Sequence, residues 1–178
     1  MTSLISISLE LDESFCKKIE YIQKKLHLNL NVKNYYLNHS KPHINLLSGK
    51  CSNPNFIMKS KLKKRIKKNK IKYLGLGIFP GKKNNVVYLR FENSNFINNL
   101  RSHLLKKFSK KFLLIDKTCL REYWIPKTTI ASGDINSKKL TKVINYLNDY
   151  QFNKNTKPSK LCVLDYTIKE EKIFEIKI

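Results

Sequence analysis

The stretches PHINL (residues 42–46) and PKTTI (residues 126–130) decide how this chain is interpreted. Each is a short run of residues that favours a β-strand, and in each the proline fixes an extended entry into the run. The chain therefore carries one proline-led motif twice, once in each half.

Polar side chains occupy alternate positions of both motifs. Residues n and n+2 of a β-strand point to the same face of the sheet. His43 and Asn45 are therefore expected to project together, and so are Lys127 and Thr129. Two such polar pairs that face one another would form a clamp for a phosphate group.

The segments around the motifs predict an α+β protein. Alternation of apolar and polar residues predicts strands at 4–11, 43–47, 71–80, 86–91, 123–131, 161–168 and 172–178. Apolar residues repeating every three to four positions predict helices at 15–28, 58–72, 96–108 and 137–150, with a turn at 169–171. This order predicts one domain over residues 1–178, built of two similar α+β halves packed together.

The net charge indicates a partner that carries negative charge. The 178 residues include 36 Lys and Arg against 13 Asp and Glu, a formal net charge of +23. RNA, DNA and small phosphorylated molecules are the natural partners of such a chain. The basic run 58–72 fits either a nucleic-acid contact or a solvated lysine face that reflects a Lys-, Asn- and Ile-rich composition.

Composition also excludes several classes of protein. A hydrophobic fraction of 41% argues against disorder, and no apolar run approaches the ~20 residues of a membrane-spanning helix. The N-terminus lacks the pattern of a secretory signal, which indicates a cytoplasmic protein without a membrane partner. Because the four cysteines are scattered and the histidines lie at no ligand spacing from them, we expect free thiols and no metal site. We also expect no cofactor. We expect a monomer.

Four segments together resemble the two-histidine phosphoesterase superfamily, which includes bacterial RNA 2′-5′ ligases and 2′,3′-cyclic phosphodiesterases. PHINLLSG (42–49) and WIPKTTIASGDI (124–135) resemble the two copies of the family's His-x-Thr/Ser motif. GLGIFP (75–80) and NNVVYLRF (84–91) are similar to its intervening hairpin. The resemblance implies a bilobal, pseudo-twofold α+β fold with antiparallel sheets flanked by helices around a central cleft, and chemistry that needs no metal.

The resemblance assigns roles to both motifs and marks where this chain departs from the family. It implies that His43, Lys127 and Thr129 are catalytic, but Lys127 replaces the second histidine and Asn45 replaces the first threonine. A lysine with a reference pKa of about 10.4 is a reluctant proton donor unless burial or neighbouring cations lower that pKa. Its ammonium group still binds phosphate, so we expect phosphate recognition to be retained better than turnover.

Further residues are candidates for contacts around the phosphate. The expected phosphate-binding residues are Asn45, Lys127, Thr129 and Arg121, and the expected base-stacking residues are Tyr36 and Phe79. Alternative interpretations stay open at this point: a hydrogen-bonded structural histidine, core packing for the aromatic residues, and surface solubility for Arg121.

Three functions follow from these features. The first is an RNA-end or oligonucleotide-binding phosphoesterase-like protein with weak 2′,3′-cyclic phosphodiesterase or 2′-5′ RNA ligase chemistry. The second is a catalytically inactive module that binds RNA or nucleotides through the same phosphate clamp. The third is a protein that acts on a small phosphorylated metabolite, with a positive surface that reflects composition alone.

Overall fold

The computed structural model describes residues 2–38, 41–58, 69–152, 154–167 and 171–176. The strands in these ranges are β1 Ser3–Leu11, β2 His43–Cys51, β3 Ile71–Phe79, β4 Val86–Phe91, β5 Leu114–Ile115, β6 Lys127–Ala131, β7 Asn155–Thr156, β8 Pro158–Asp165 and β9 Glu171–Ile176. The α-helices are α1 Glu13–Leu30, α2 Asn34–Asn38, α3 Asn55–Met58, α4 Asn95–Phe108 and α5 Ser137–Asn148. Short 3₁₀ turns lie at Ser109–Lys111 and Lys117–Cys119.

The strands form two antiparallel sheets. The first has the order β5-β2-β1-β8-β9 and the second has the order β6-β4-β3-β7. The sheets do not follow the two halves of the chain, because β8 and β9 from the C-terminal half pair beside β1. In the same way, β3 and β4 from the N-terminal half pair with β6 and β7 of the second sheet.

The two motif strands meet at the junction of the sheets. β2 carries the first motif, β6 carries the second, and the two strands contact one another. The two motifs, which the sequence predicts to be equivalent, therefore lie on two neighbouring strands that belong to different sheets.

A β-bulge marks the same position in both motif strands. Ile7 and Ser8 of β1 face Leu47 and Asn45 of β2, so Leu46 is the extra residue. Val87 and Tyr88 of β4 face Ala131 and Thr129 of β6, which makes Ile130 the extra residue. Each bulge follows directly after the second polar residue of its motif. Because a bulge bends a strand and increases its local twist, both motif strands change course at equivalent points.

Helices cover both sheets, as an amphipathic pattern requires. Asp12 caps α1 by accepting a hydrogen bond from Phe15 N at 3.0 Å, and Asn31 ends the helix in the left-handed region at φ 51°. The face of α1 that carries Phe15, Ile19, Ile22 and Leu26 is buried, and the helix contacts β6 and α5. On the first sheet, α4 contacts β2. Each helix therefore supports one motif strand.

The α+β fold with antiparallel sheets and flanking helices is confirmed, and several element boundaries differ from the sequence-based expectation. The strand predicted at 123–131 begins only at Lys127, because the carbonyl oxygen of Leu120 accepts hydrogen bonds from Tyr123 N and Trp124 N in a turn. Pro126, which has no N–H to donate to a ladder, then precedes the strand. The helix predicted at 137–150 ends at Asn148.

Four predicted elements fall partly outside the described residues. The parts that lie outside are residues 59–68 of the basic helix predicted at 58–72, residue 168 of the strand predicted at 161–168, residues 169–170 of the final turn, and residues 177–178 of the strand predicted at 172–178. Ile71 and Lys72, at the end of that predicted helix, belong to β3 instead. No helix in the described ranges combines the length and the apolar character that a bilayer crossing needs. All four cysteines are buried free thiols.

Candidate active site

A cavity of about 360 Å³ lies between the two motif strands. His43 and Asn45 from β2 and Lys127 and Thr129 from β6 all line it. Both predicted polar pairs thus face one shared space, which is the arrangement that a clamp around a single ligand group requires.

Hydrogen bonds hold the buried imidazole of His43 at both of its nitrogens. Nδ1 lies 2.9 Å from the carbonyl oxygen of Lys41, and Nε2 lies 3.0 Å from the hydroxyl oxygen of Tyr166. A carbonyl oxygen only accepts, so the hydrogen of the neutral ring resides on Nδ1. Nε2 is therefore the acceptor for the Tyr166 hydroxyl. This tautomer presents a basic nitrogen toward the cavity.

The Lys127 side chain lines the cavity and lies close to two aromatic rings. Its Nζ donates to Thr129 Oγ1 at 3.2 Å and lies 5.6 Å and 5.8 Å from the ring centroids of Phe79 and Tyr88. Burial lowers the pKa of Lys127, and the nearby Cys119 sulfur partly offsets that shift. Among the described residues, no carboxylate lies within ion-pair distance of this ammonium group.

Two contacts hold Trp124, an indole that lines the cavity, in place. Trp124 Nε1 donates to the carbonyl oxygen of Asn45 at 2.9 Å, which ties the segment before β6 to β2. The guanidinium of buried Arg101 lies 4.6 Å from the Trp124 ring centroid and donates to the carbonyl oxygen of Cys119. A cation over an aromatic face stabilises the ring's position by about 0.5–2 kcal/mol.

Two aromatic rings, those of Phe79 and Tyr88, pack closely against one another beside the cavity. The rings of Phe79 and Tyr88 lie 4.5 Å apart between centroids at an interplanar angle of 30°. Tyr88 fits there because position 77 is glycine: a Cβ on Gly77 would lie 2.3 Å from Tyr88 Cζ. Phe79 lines the cavity and is half-buried, so part of its ring faces the ligand space.

Two of the residues predicted for the site do not line the cavity. The ring of Tyr36 stacks on His27 with centroids 5.5 Å apart, and its neighbour Tyr35 lines the cavity instead. Successive residues of a helix differ by about 100° in direction, so only one of the two tyrosines of α2 turns toward the cavity. Arg121 is exposed, in the turn that precedes β6.

Tyr166 and Arg101 contribute to the site but were not predicted from the sequence. Tyr166 follows β8 and has no motif that would indicate its contact with His43. Arg101 could have been noticed in the sequence, because it lies among the apolar residues that α4 buries. An arginine is rarely buried unless it has a partner. Within the described ranges, no three His, Cys, Asp or Glu side chains form a group able to hold a metal ion.

The arrangement suits an anionic ligand that also needs a base. The cavity offers a basic imidazole nitrogen, an ammonium group without a described acidic partner, and hydroxyl and amide groups from Thr129 and Asn45. Donors and positive charge of this kind bind phosphate oxygens, and a neutral imidazole accepts a proton from a hydroxyl.

The comparisons with known proteins agree with this geometry. No curated protein matches the chain significantly. A family model described as the 2′-5′ RNA ligase superfamily matches residues 11–170, a range that includes both motif strands and all residues lining the cavity except Leu4. The chain belongs to the 2′-5′ RNA ligase superfamily.

Proposed function

We propose that this protein binds the phosphate at an RNA end in the cavity between β2 and β6 and slowly opens 2′,3′-cyclic phosphates there without a metal. The observation that carries the proposal is the convergence of His43 and Lys127, from bulged strands of two different sheets, on one cavity. Both residues come from matching positions of a duplicated motif.

Phosphate is the ligand group that best satisfies this cavity. The Lys127 ammonium group is desolvated and lacks a described carboxylate partner, so an incoming anion supplies its missing counter-charge. Thr129 Oγ1, 3.2 Å from Lys127 Nζ, adds a hydroxyl donor to the same anion. Asn45 adds an amide donor from the facing strand.

The same residues account for turnover that is slow rather than absent. His43 serves as the general base for the attacking water, while Lys127 and Thr129 stabilise the charge that develops on the phosphorane. Burial lowers the pKa of Lys127, which makes its ammonium group a better proton donor to the leaving ribose oxygen than an exposed lysine. The reference pKa of a lysine, about 10.4, lies well above that of an imidazolium, about 6.5, so lysine is intrinsically the weaker acid of the two.

An RNA end fits the surroundings of the cavity better than an isolated phosphate does. The net charge of +23 attracts a polyanion, and Phe79 and half-exposed Tyr123 line the cavity where a base can stack. Exposed Arg121 lies between Tyr123 and the 3₁₀ turn at Lys117–Cys119. From this position its guanidinium can bind a backbone phosphate of an RNA that extends beyond the cavity.

The test is a short RNA that ends in a 2′,3′-cyclic phosphate, incubated with the protein in EDTA. We expect product from the wild type and at least a 10²-fold slower rate for His43→Ala, with binding by fluorescence anisotropy retained in both. Lys72→Met, which removes an exposed lysine of β3, is the matched control and should hydrolyse at the wild-type rate. Equal rates for the wild type and His43→Ala would remove His43 from the mechanism.

A second candidate is a binding module without turnover, favoured by the two departures at Asn45 and Lys127. It predicts RNA-end affinity with a salt slope of about −0.7 per phosphate contact, and no product. If only the acid is missing, Lys127→His creates activity. Loss of all RNA binding above ~0.3 M salt, with retained binding of a mononucleotide, would instead favour a small phosphorylated ligand.

A further inference from the structure

We propose that Tyr166 is a catalytic residue that relays the proton of the attacking water to His43. This inference rests on the proposed function, because it assigns a step of cyclic phosphate hydrolysis to a residue outside both motifs. Tyr166 lines the cavity together with His43 and Lys127.

The direction of the hydrogen bond between Tyr166 and His43 supports a relay. Lys41 O holds the hydrogen of the neutral ring on Nδ1, which leaves Nε2 as an acceptor. Across the 3.0 Å contact, Tyr166 Oη must then be the donor. A phenol oxygen that donates its hydrogen can still accept a hydrogen bond from a hydroxyl in the cavity. The chain of donors thus runs from the nucleophile through Tyr166 to His43.

Backbone contacts keep the tyrosine at this position. Tyr166 N donates to Leu4 O at 2.7 Å, and Leu4 N donates to Thr167 Oγ1 at 3.0 Å. Thr167 N in turn donates to Asp165 Oδ1 at 2.7 Å. The loop after β8 is therefore attached to β1 on both sides of Tyr166. A catalytic hydroxyl needs such a fixed position to act at hydrogen-bond range.

Two other titratable groups of the cavity have partners of their own. The Asp116 carboxylate accepts hydrogen bonds from Thr118 N at 2.8 Å and from Thr118 Oγ1 at 2.6 Å. The buried thiol of Cys119 lies 3.3 Å from Ser48 Oγ. Neither arrangement places a protonated hydroxyl next to the imidazole of His43, whereas that of Tyr166 does.

The proposed step balances in atoms and protons. The oxygen of water forms a bond to phosphorus while the bond from phosphorus to one ribose oxygen breaks. The proton of the water passes to Tyr166 Oη as the phenol proton passes to His43 Nε2. The leaving ribose oxygen takes a proton from Lys127, and solvent afterwards removes the proton from His43 and restores that of Lys127. No oxidant, reductant or metal takes part.

Tyr166→Phe tests the relay, because it removes only the hydroxyl and leaves the ring. With the cyclic-phosphate RNA, we expect kcat to fall about 10²-fold with little change in KM. In mixtures of H₂O and D₂O, the wild-type rate should depend on the deuterium fraction along a curve, since at least two protons move together, and this curvature should decrease in the variant. Tyr21→Phe, which removes an exposed hydroxyl of α1, should behave as the wild type.

Each remaining outcome is decisive. An unchanged or increased kcat in Tyr166→Phe overturns the relay, the increase because the hydroxyl would then block His43. Wild-type protein that binds the RNA end without hydrolysing it overturns the relay and leaves phosphate binding intact, whereas a failure to bind overturns the proposed function itself. ¹⁵N NMR of wild-type histidines gives a test without any variant: a proton on Nε2 of neutral His43, with Nδ1 bare, contradicts the relay.

Discussion

Replacing Lys127 with methionine should weaken phosphate binding and at the same time stabilise the fold. Methionine retains the length of the side chain and packs against the rings of Phe79 and Tyr88, which Lys127 Nζ approaches to 5.6 Å and 5.8 Å. A hydrogen bond to a charged group contributes about 1.5–3 kcal/mol. Its loss should therefore raise the Kd for an RNA end about 10- to 150-fold.

Although Lys127→Met should weaken RNA binding, we expect it to increase the stability of the fold. Burial disfavours the charged form of Lys127, and no described carboxylate compensates for it, so its removal should raise the free energy of unfolding by about 1 kcal/mol. For a chain of this length, that gain raises Tm by about 2–4 °C. Fluorescence anisotropy measures the first effect, and thermal unfolding without ligand measures the second.

Lys72→Met is the matched control, because it removes the same charge from an exposed position of β3. It should change Tm by less than about 2 °C, because substitutions on an exposed surface usually change stability by no more than about 0.5 kcal/mol. Binding by Lys127→Met that equals that of the control would refute the assignment of Lys127 to the phosphate. A lower Tm for Lys127→Met would refute the claim that its charge is held at an energetic disadvantage.

Three further predictions concern the titration of Lys127, the titration of Asp12 and the packing at Gly77. Because the pKa of Lys127 is lowered, phosphate affinity should fall as pH rises through a value below the usual 10.5, and a titration of Kd should show no such fall in Lys127→Met. Burial opposes ionisation of Asp12, but hydrogen bonds from Thr156 and other donors outweigh it and lower the pKa to about 2, so Asp12 contributes stability above pH 3.8 that is lost toward pH 2. In urea titrations Asp12→Asn should be less stable by about 1 kcal/mol at pH 7, allowing for solvent screening, and equal to wild type near pH 2. Gly77→Ala should destabilise the protein by about 1–3 kcal/mol in the same assay, because its Cβ would lie 2.3 Å from Tyr88 Cζ; an unchanged midpoint would show that the ring moves freely.

The sequence was sufficient to predict those strands and helices in which apolar residues recur at a regular spacing. The alternation in LISISLEL and the three- to four-residue spacing after Asp12 predicted β1 and α1 to within a few residues. Residue order alone did not reveal that β8 and β9 pair beside β1, because strand neighbours in a sheet depend on long-range packing. The start of β6 was missed because a turn at Leu120 interrupts an apolar run that otherwise looks like a strand.

The site residues that belong to the two motifs could be predicted from the sequence. His43, Asn45, Lys127 and Thr129 were identified from their spacing, and the structure brings all four to one cavity. Tyr166 was not predictable, because its contact with His43 depends on a loop attached to β1 by hydrogen bonds between distant residues.

The most direct test of phosphate binding in the cavity is a crystal structure with a nucleotide that carries a 2′- or a 3′-phosphate, the two products that opening of a cyclic phosphate can give. The account predicts a phosphate between β2 and β6, with oxygens within hydrogen-bond distance of Lys127 Nζ on one side and of the His43 and Tyr166 pair on the other. A phosphate bound only to lysines on the outer surface, with the cavity between the motif strands empty, would contradict it.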